Sequence, residues 1–183
     1  AGYYTYFGAI AGDPKKGYYS YDIGDWHLIA LNSNCADVSC GADSPQTQWL
    51  KEDLAAHPNA CTIAYWHHPR FSSGVHGNNE ELDTFWQILY QANVEIVLNG
   101  HDHHYERFAP QGKEDIAKGI RQFVVGTGGK NHYKSDNVQP NSDVRNSETH
   151  GVLKLTLHKN SYDWKFEPIA GQTFTDSGSS KCH

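Results

Sequence analysis

Apolar and polar positions follow two rhythms along this chain. In its first hundred residues, short apolar runs are interleaved with segments whose apolar residues recur every three to four positions, the spacing of strands alternating with helices. "GYYSYDIG" and "WHLIALNS" read as paired strands with Gly24 and Asp25 as the turn between them. "SPQTQWLKEDLAAH" predicts a helix: Ser44 stands as N-cap, Pro45 opens the first turn, and Trp49, Leu50 and Leu54 share one face. "CTIAYW" is an apolar run of strand length. "NNEELDTFWQILYQAN" predicts a second helix, acidic in its first turn, with Leu82, Phe85, Trp86 and Leu89 on one side, and it leads into a third core strand, "VEIVL".

After residue 108 the rhythm changes. "IRQFVVGTGG" reads as a strand running into a glycine-rich turn, and "GVLKLTLHKNSYDWKFEPI" as a hairpin of alternating strands about Lys159 and Asn160. Residues 130–150 are polar and aperiodic, which predicts a long surface loop, and residues 175–183 form a tail expected to fray unless Cys182 ties it down. The fold class that follows is α/β, with layered mixed β-sheets flanked by helices, in a single domain over residues 1–183.

Composition narrows the function. The chain has 183 residues, enough to bury a sizeable core, and a net charge of −6 without any basic block, which argues against a nucleic-acid partner. No apolar run is long enough to span a bilayer, and no apolar leader opens the chain, so a soluble protein with no membrane partner is expected. Methionine is absent, which points to an N-terminus made by processing or cleavage, or to a piece of a longer chain. The four cysteines are Cys35, Cys40, Cys61 and Cys182. "CADVSC" is poorly spaced for structural zinc, so disulfides are the better reading, with Cys35 and Cys40 closing a short loop and Cys61 left to tether Cys182; free buried thiols are the alternative. Disulfides and the Tyr-, Asn- and Gly-rich composition suit a secreted or otherwise extracytoplasmic setting.

The chemistry lies in the histidines. Two predicted core strands each end in a cluster, "HHP" at His67 to Pro69 and "GHDHH" at Gly100 to His104. In open α/β sheets ligands bind beyond the carboxyl ends of strands, so the two clusters point to one crevice. Neutral imidazole is the commonest metal ligand, which makes a cation the expected occupant. A solvated surface histidine remains the bland reading of any one of them taken singly.

"WHHP" followed some thirty residues later by "NGHDHHYER" resembles the calcineurin-like metallophosphoesterases, in particular their purple acid phosphatase branch, with "GYYSYDIGDWHLIALNS" and "FVVGTGG" resembling the flanking stretches. The resemblance implies the second half of a four-layer sandwich and hydrolysis of phosphoesters at a centre of two divalent or trivalent ions, Fe, Zn or Mn, about 4 Å apart. By position it makes His67 and His101 ligands of one ion and His103 a ligand of the other. His76 would contact phosphate and protonate the leaving group, and His68 would sit at the rim, near substrate. His104, Tyr105, Glu106 and Arg107 would orient the ligand loop, with a structural Glu106–Arg107 ion pair as the rival reading of those two.

The chain departs from the family in one large respect. The family's earlier aspartate, GDxx(Y) and GNH(D/E) motifs are absent; the GD pairs in "AGDP" and "IGDW" fall in a loop and a hairpin turn and do not replace them. The expected partners are therefore a small phosphoester substrate and the missing N-terminal half of the same protein, which would carry the carboxylates. The rival readings are an inactive fragment or a non-enzymatic metal-binding module, and a secreted histidine-rich metal-sequestering protein.

Overall fold

A computed structural model describes residues 2–58, 61–112 and 118–183. Helix α1 (Gly2–Phe7) precedes a hairpin of β1 (Tyr19–Ile23) and β2 (Trp26–Ala30). There follow α2 (Pro45–Ala56), β3 (Cys61–Tyr65), α3 (Asp83–Gln91) and β4 (Ile96–Asn99), then β5 (Tyr105–Phe108), β6 (Arg121–Val125) and β7 (Ser142–Asn146). The chain closes with β8 (Gly151–His158), β9 (Ser161–Pro168) and β10 (Ser177–Lys181).

Local chemistry explains the two long helices. Ser44 accepts a hydrogen bond from the Thr47 backbone N–H at the start of α2, and Pro45 occupies the first turn, where its missing N–H costs nothing. Just past α3, Asn93 has a φ of 57° that turns the chain into the left-handed region, while the Val94 N–H returns to the Leu89 carbonyl.

Seven strands form one mixed sheet in the order β1-β2-β3-β4-β6-β5-β7. β2, β3, β4 and β6 run parallel; β1 and β5 are antiparallel to their neighbours. The other three strands make an antiparallel sheet, β10-β9-β8. Each face of the large sheet is covered. On one, Leu50, Leu54, Phe85, Trp86 and Leu89 from α2 and α3 bury Ile29, Ala64 and Val97. On the other, Tyr162, Trp164 and Phe166 of β9 pack on Leu28, Ile63, Ile96 and Phe123. Each fully buried large side chain contributes about 1.5–3 kcal/mol relative to exposure. The result is three layers, helices over sheet over sheet, in agreement with the layered α/β reading.

One expectation needs correcting. The span 130–150 is not wholly loop, because β7 lies within it and pairs with β5. The tail is tied down at Cys182, the condition the sequence set, and β10 within it pairs with β9. Both strands are polar and exposed on one or both faces, so neither carries an apolar signature. The cysteines form Cys35–Cys40 and Cys61–Cys182 disulfides, and the second fastens the tail to the start of β3.

Candidate metal and active site

The carboxyl ends of β2, β3 and β4 lie side by side, since these strands are parallel and in contiguous register. The backbone ladder continues past them: the Leu31 N–H meets the Tyr65 carbonyl, the Trp66 N–H meets Leu98, and the Gly100 N–H meets His67. This brings Ser33, the pair His67 and His68, and His101 to one crevice.

His101 has a φ of 62°, a left-handed conformation that costs a non-glycine residue about 1–2 kcal/mol. Strain of this kind persists where the surroundings enforce it and clusters at functional sites. Here it turns the ring back over β3. His101 Nδ1 lies 3.2 Å from His67 Nε2, and the His101 ring centroid is 4.4 Å from that of His68 and 4.2 Å from that of His76. His67, His68 and His101 each offer a nitrogen within 4.8 Å of the others.

His68 therefore joins the cluster and is not at its rim. Ser33, just past β2, holds it: the Ser33 hydroxyl accepts the His68 backbone N–H at 3.1 Å and meets Nδ1 at 2.9 Å. His103 stands apart from the three. Its Nδ1 faces the Asn131 carbonyl at 2.9 Å, and its ring stacks on Tyr133 with centroids 4.0 Å apart, so the nitrogen left over is Nε2.

The cluster is electrostatically prepared for a cation. Burial, then the neighbouring His68, His76 and His67, pushes the His101 pKa down to about 4; burial and the charges of His68 and His103 lower His67 as well. These rings are neutral at physiological pH, with lone pairs available. The donor set fits a transition metal of borderline softness. Among the described residues no carboxylate joins the three nitrogens.

His76 sits on the loop after β3, its ring beside His101. Its Nδ1 is 2.6 Å from Asp102 Oδ1, and Asp102 is fully buried. Asp102, between two of the expected ligands, faces away from them. Burial raises its pKa, but hydrogen bonds from Ser72 and His76 outweigh that and hold it below the usual carboxylate range.

The four residues after His103 divide by strand alternation. His104 and Glu106 point to one side, where His104 Nε2 lies 3.0 Å from Glu106 Oε2, and Glu106 also accepts from Ser73 and Ser142. Tyr105 and Arg107 point to the other. The Tyr105 hydroxyl and the Arg107 guanidinium both donate to Asp176, each at 2.7 Å, and Arg107 also reaches Asp143. The expected joint role of all four is corrected accordingly: His104 and Glu106 brace the histidine loop, while Tyr105 and Arg107 join the two sheets. A Glu106–Arg107 ion pair is ruled out by the same geometry, since successive strand residues face opposite ways.

A second grouping, Asp22, His27 and His57, occupies the opposite end of the strands. Both nitrogens of buried His27 are taken, by Asp22 and Asp53 at 2.7 Å each, so it reads as an internal ion pair. The Cys61, Glu95 and Cys182 grouping has its sulfurs in a disulfide.

The sequence reading overlooked Ser33, Asp102, Asn131 and Tyr133. Only Asp102 had a signal, an acid set between two histidines at a strand end; the others arrive from distant loops.

Sequence and fold both match one known family. The calcineurin-like phosphoesterase profile matches residues 3–105, more than half of the chain, and the chain belongs to that family. Its relatives include Purple acid phosphatase 21 of Arabidopsis thaliana, 30% identical over 187 residues, covering 91% of this chain and 42% of that protein. Purple acid phosphatase 15 of the same plant is 34% identical over 103 residues, 53% of this chain and 19% of that protein. The chain thus spans less than half the length of these relatives. The structure of purple acid phosphatase PPD1 from yellow lupin (Lupinus luteus) seeds superposes with a TM-score of 0.80 at 19% identity, covering 93% of this chain and 34% of that one, a shared fold.

Proposed function

We propose that this chain supplies the histidine half of a two-metal phosphoester hydrolase, of the purple acid phosphatase kind, in an extracytoplasmic setting that keeps both disulfides oxidised. The observation that carries the proposal is the convergence of His67, His68 and His101 from two strand ends into one set of donor nitrogens. His67 and His101 hold one ion, with His68 close enough to join them or to meet the substrate phosphate. His103 offers Nε2 to the other ion, its Nδ1 kept on the Asn131 carbonyl, the arrangement that fixes the ligand tautomer. When bound, the ions supply Lewis-acid polarisation of the phosphoryl group and a more acidic water. His76, whose side chain is 44% exposed, contacts phosphate and carries the proton that the departing alkoxide needs, a contribution typically of about 10²–10⁴ in rate. The carboxylates that the cluster lacks would come from an N-terminal half of the same protein, which this segment would need for turnover.

A non-enzymatic metal-binding module is the second reading, favoured by the absence of a carboxylate from the three-histidine cluster among the described residues. One experiment separates the two. The purified chain, alone and co-expressed with the carboxylate-bearing half of a relative, is assayed against an activated aryl phosphate with added zinc, iron or manganese. The expected result is little turnover alone, turnover in the complex, and its loss in His101→Ala. Complexes that bind metal at His101 yet never turn over the ester would favour the module. Robust turnover by the chain alone, lost in His101→Ala, would overturn the need for a second half.

A further inference from the structure

We infer that Asp102 is a positioning residue that sets both the ring orientation and the tautomer of His76, so that Nε2 is the nitrogen turned to the site. The inference rests on the reading of His76 as proton carrier.

The geometry is specific. Asp102 is fully buried, and both of its oxygens are engaged. Oδ1 accepts the His76 backbone N–H at 3.2 Å and lies 2.6 Å from His76 Nδ1; Oδ2 accepts the Ser72 hydroxyl at 2.5 Å. The Ser72 hydroxyl oxygen in turn accepts the Gly74 N–H at 3.0 Å. The backbone is shaped around this side chain at Gly74, where a Cβ would run into the Asp102 carboxylate. His76 itself stays 44% exposed, so a rigid buried group holds a ring that reaches solvent.

A carboxylate only accepts hydrogen bonds, so Nδ1 must carry the proton that faces Oδ1. The neutral ring then has its lone pair on Nε2. In the charged ring Nε2–H is the donor. As the P–O bond to the leaving group breaks, the leaving oxygen keeps the bonding electron pair and takes the Nε2 proton; His76 returns to the neutral Nδ1–H form. Asp102 stays ionised throughout and receives no proton. With the opposite tautomer a nitrogen lone pair would face Oδ1 across 2.6 Å, which is repulsive.

A purely structural Asp102, pinning the 72–76 turn, would not select a tautomer. The deciding measurement is the pair of imidazole ¹⁵N shifts of His76 in the 183-residue chain at a pH where the ring is neutral, with the signal assigned by its loss in His76→Gln. The expected form is Nδ1–H. Asp102→Ala removes the one oxygen that faces both the backbone N–H and Nδ1 of His76, and it should release the ring from the Nδ1–H form. Ser72→Ala, which leaves the Asp102–His76 contact, should keep Nδ1–H. In the metal-loaded complex with the N-terminal half, Asp102→Ala should lower kcat on an alkyl phosphate by about 10²-fold while changing KM, and kcat on an activated aryl phosphate, by less than about 3-fold.

A wild-type ring in the Nε2–H form, or averaging between the two, would overturn the inference whatever the activity, and this needs no variant to fold. A Nδ1–H ring that is released in Asp102→Ala, with equal kinetic losses on both esters, would support the positioning role and overturn the reading of His76 as proton donor.

Discussion

Glu106 is the point at which the histidine loop is fastened to the rest of the molecule, and Glu106→Gln tests how much that fastening contributes. The carboxylate is fully buried. Oε1 accepts the hydroxyls of Ser73 and Ser142, each at 2.5 Å, and Oε2 accepts the Ser73 N–H at 2.9 Å with His104 Nε2 at 3.0 Å. A glutamine of the same shape has one acceptor oxygen in place of two. If that oxygen keeps the Ser73 N–H and His104, both serine hydroxyls must turn elsewhere, although they already accept from the Gln139 N–H and Arg145. Two hydrogen bonds to a charged group are lost, each contributing about 1.5–3 kcal/mol, and relief of carboxylate desolvation offsets part of the loss. The net cost is about 3 kcal/mol, which in a domain of this size lowers Tm by about 6–12 °C.

The sign of the pH dependence follows from the same contacts. Burial raises the Glu106 pKa, but the hydrogen bonds from His104, Ser142 and Ser73 outweigh it and hold it low. A depressed folded pKa gives stability that is present above the ordinary carboxylate range and is lost as pH falls through the folded value. The difference between wild type and Glu106→Gln should therefore narrow at low pH. The assay is thermal and urea unfolding at pH 7 and pH 4, with amide exchange of residues 72–76 and 139–142 at pH 7. A Tm within 1–2 °C of wild type, with exchange in both segments unchanged, would refute the claim that this carboxylate braces the loop.

The opposite pH sign is expected at Glu95. Burial pushes its pKa up to about 7 against the backbone hydrogen bonds from Thr62 and His183, so the folded state keeps a proton that the unfolded chain releases. Stability should be full below the ordinary carboxylate pKa and fall by about 1.4 kcal/mol per pH unit up to pH 7, about 3 kcal/mol in all. Glu95→Gln should flatten that slope in unfolding curves between pH 4.5 and 8, and an unchanged slope would count against it. The two disulfides should differ in weight. Loop closure over 121 residues makes Cys61–Cys182 worth about 5 kcal/mol, and closure over 5 makes Cys35–Cys40 worth about 2 kcal/mol. Urea unfolding of the paired Cys→Ser variants checks this, and equal losses would contradict the loop-length account.

The order of elements from β1 to β4, the Ser44 cap, the apolar faces of α2 and α3 and the placing of histidines after two core strands were all legible in the sequence, because each depends on residues within a turn or two of one another. The rest needed the three-dimensional fold. β5 lies between β6 and β7, and β7 pairs there with almost no apolar residues, so its hydrogen-bonding partners and not its own composition make it a strand. Residues 104–107 divide between two faces, a matter of where the strand begins. His101 illustrates the reason most clearly. Its left-handed φ breaks the two-residue alternation at the strand end and turns its ring over His67 and His68, while His103 faces the Asn131 carbonyl. Spacing along a chain sets which residues can be neighbours; the direction of each side chain depends on backbone angles and contacts from segments far away in sequence. That is why His68 joined the cluster, why Asp102 faces away from it, and why Ser33 and Tyr133 belong to a site that no motif assigned to them.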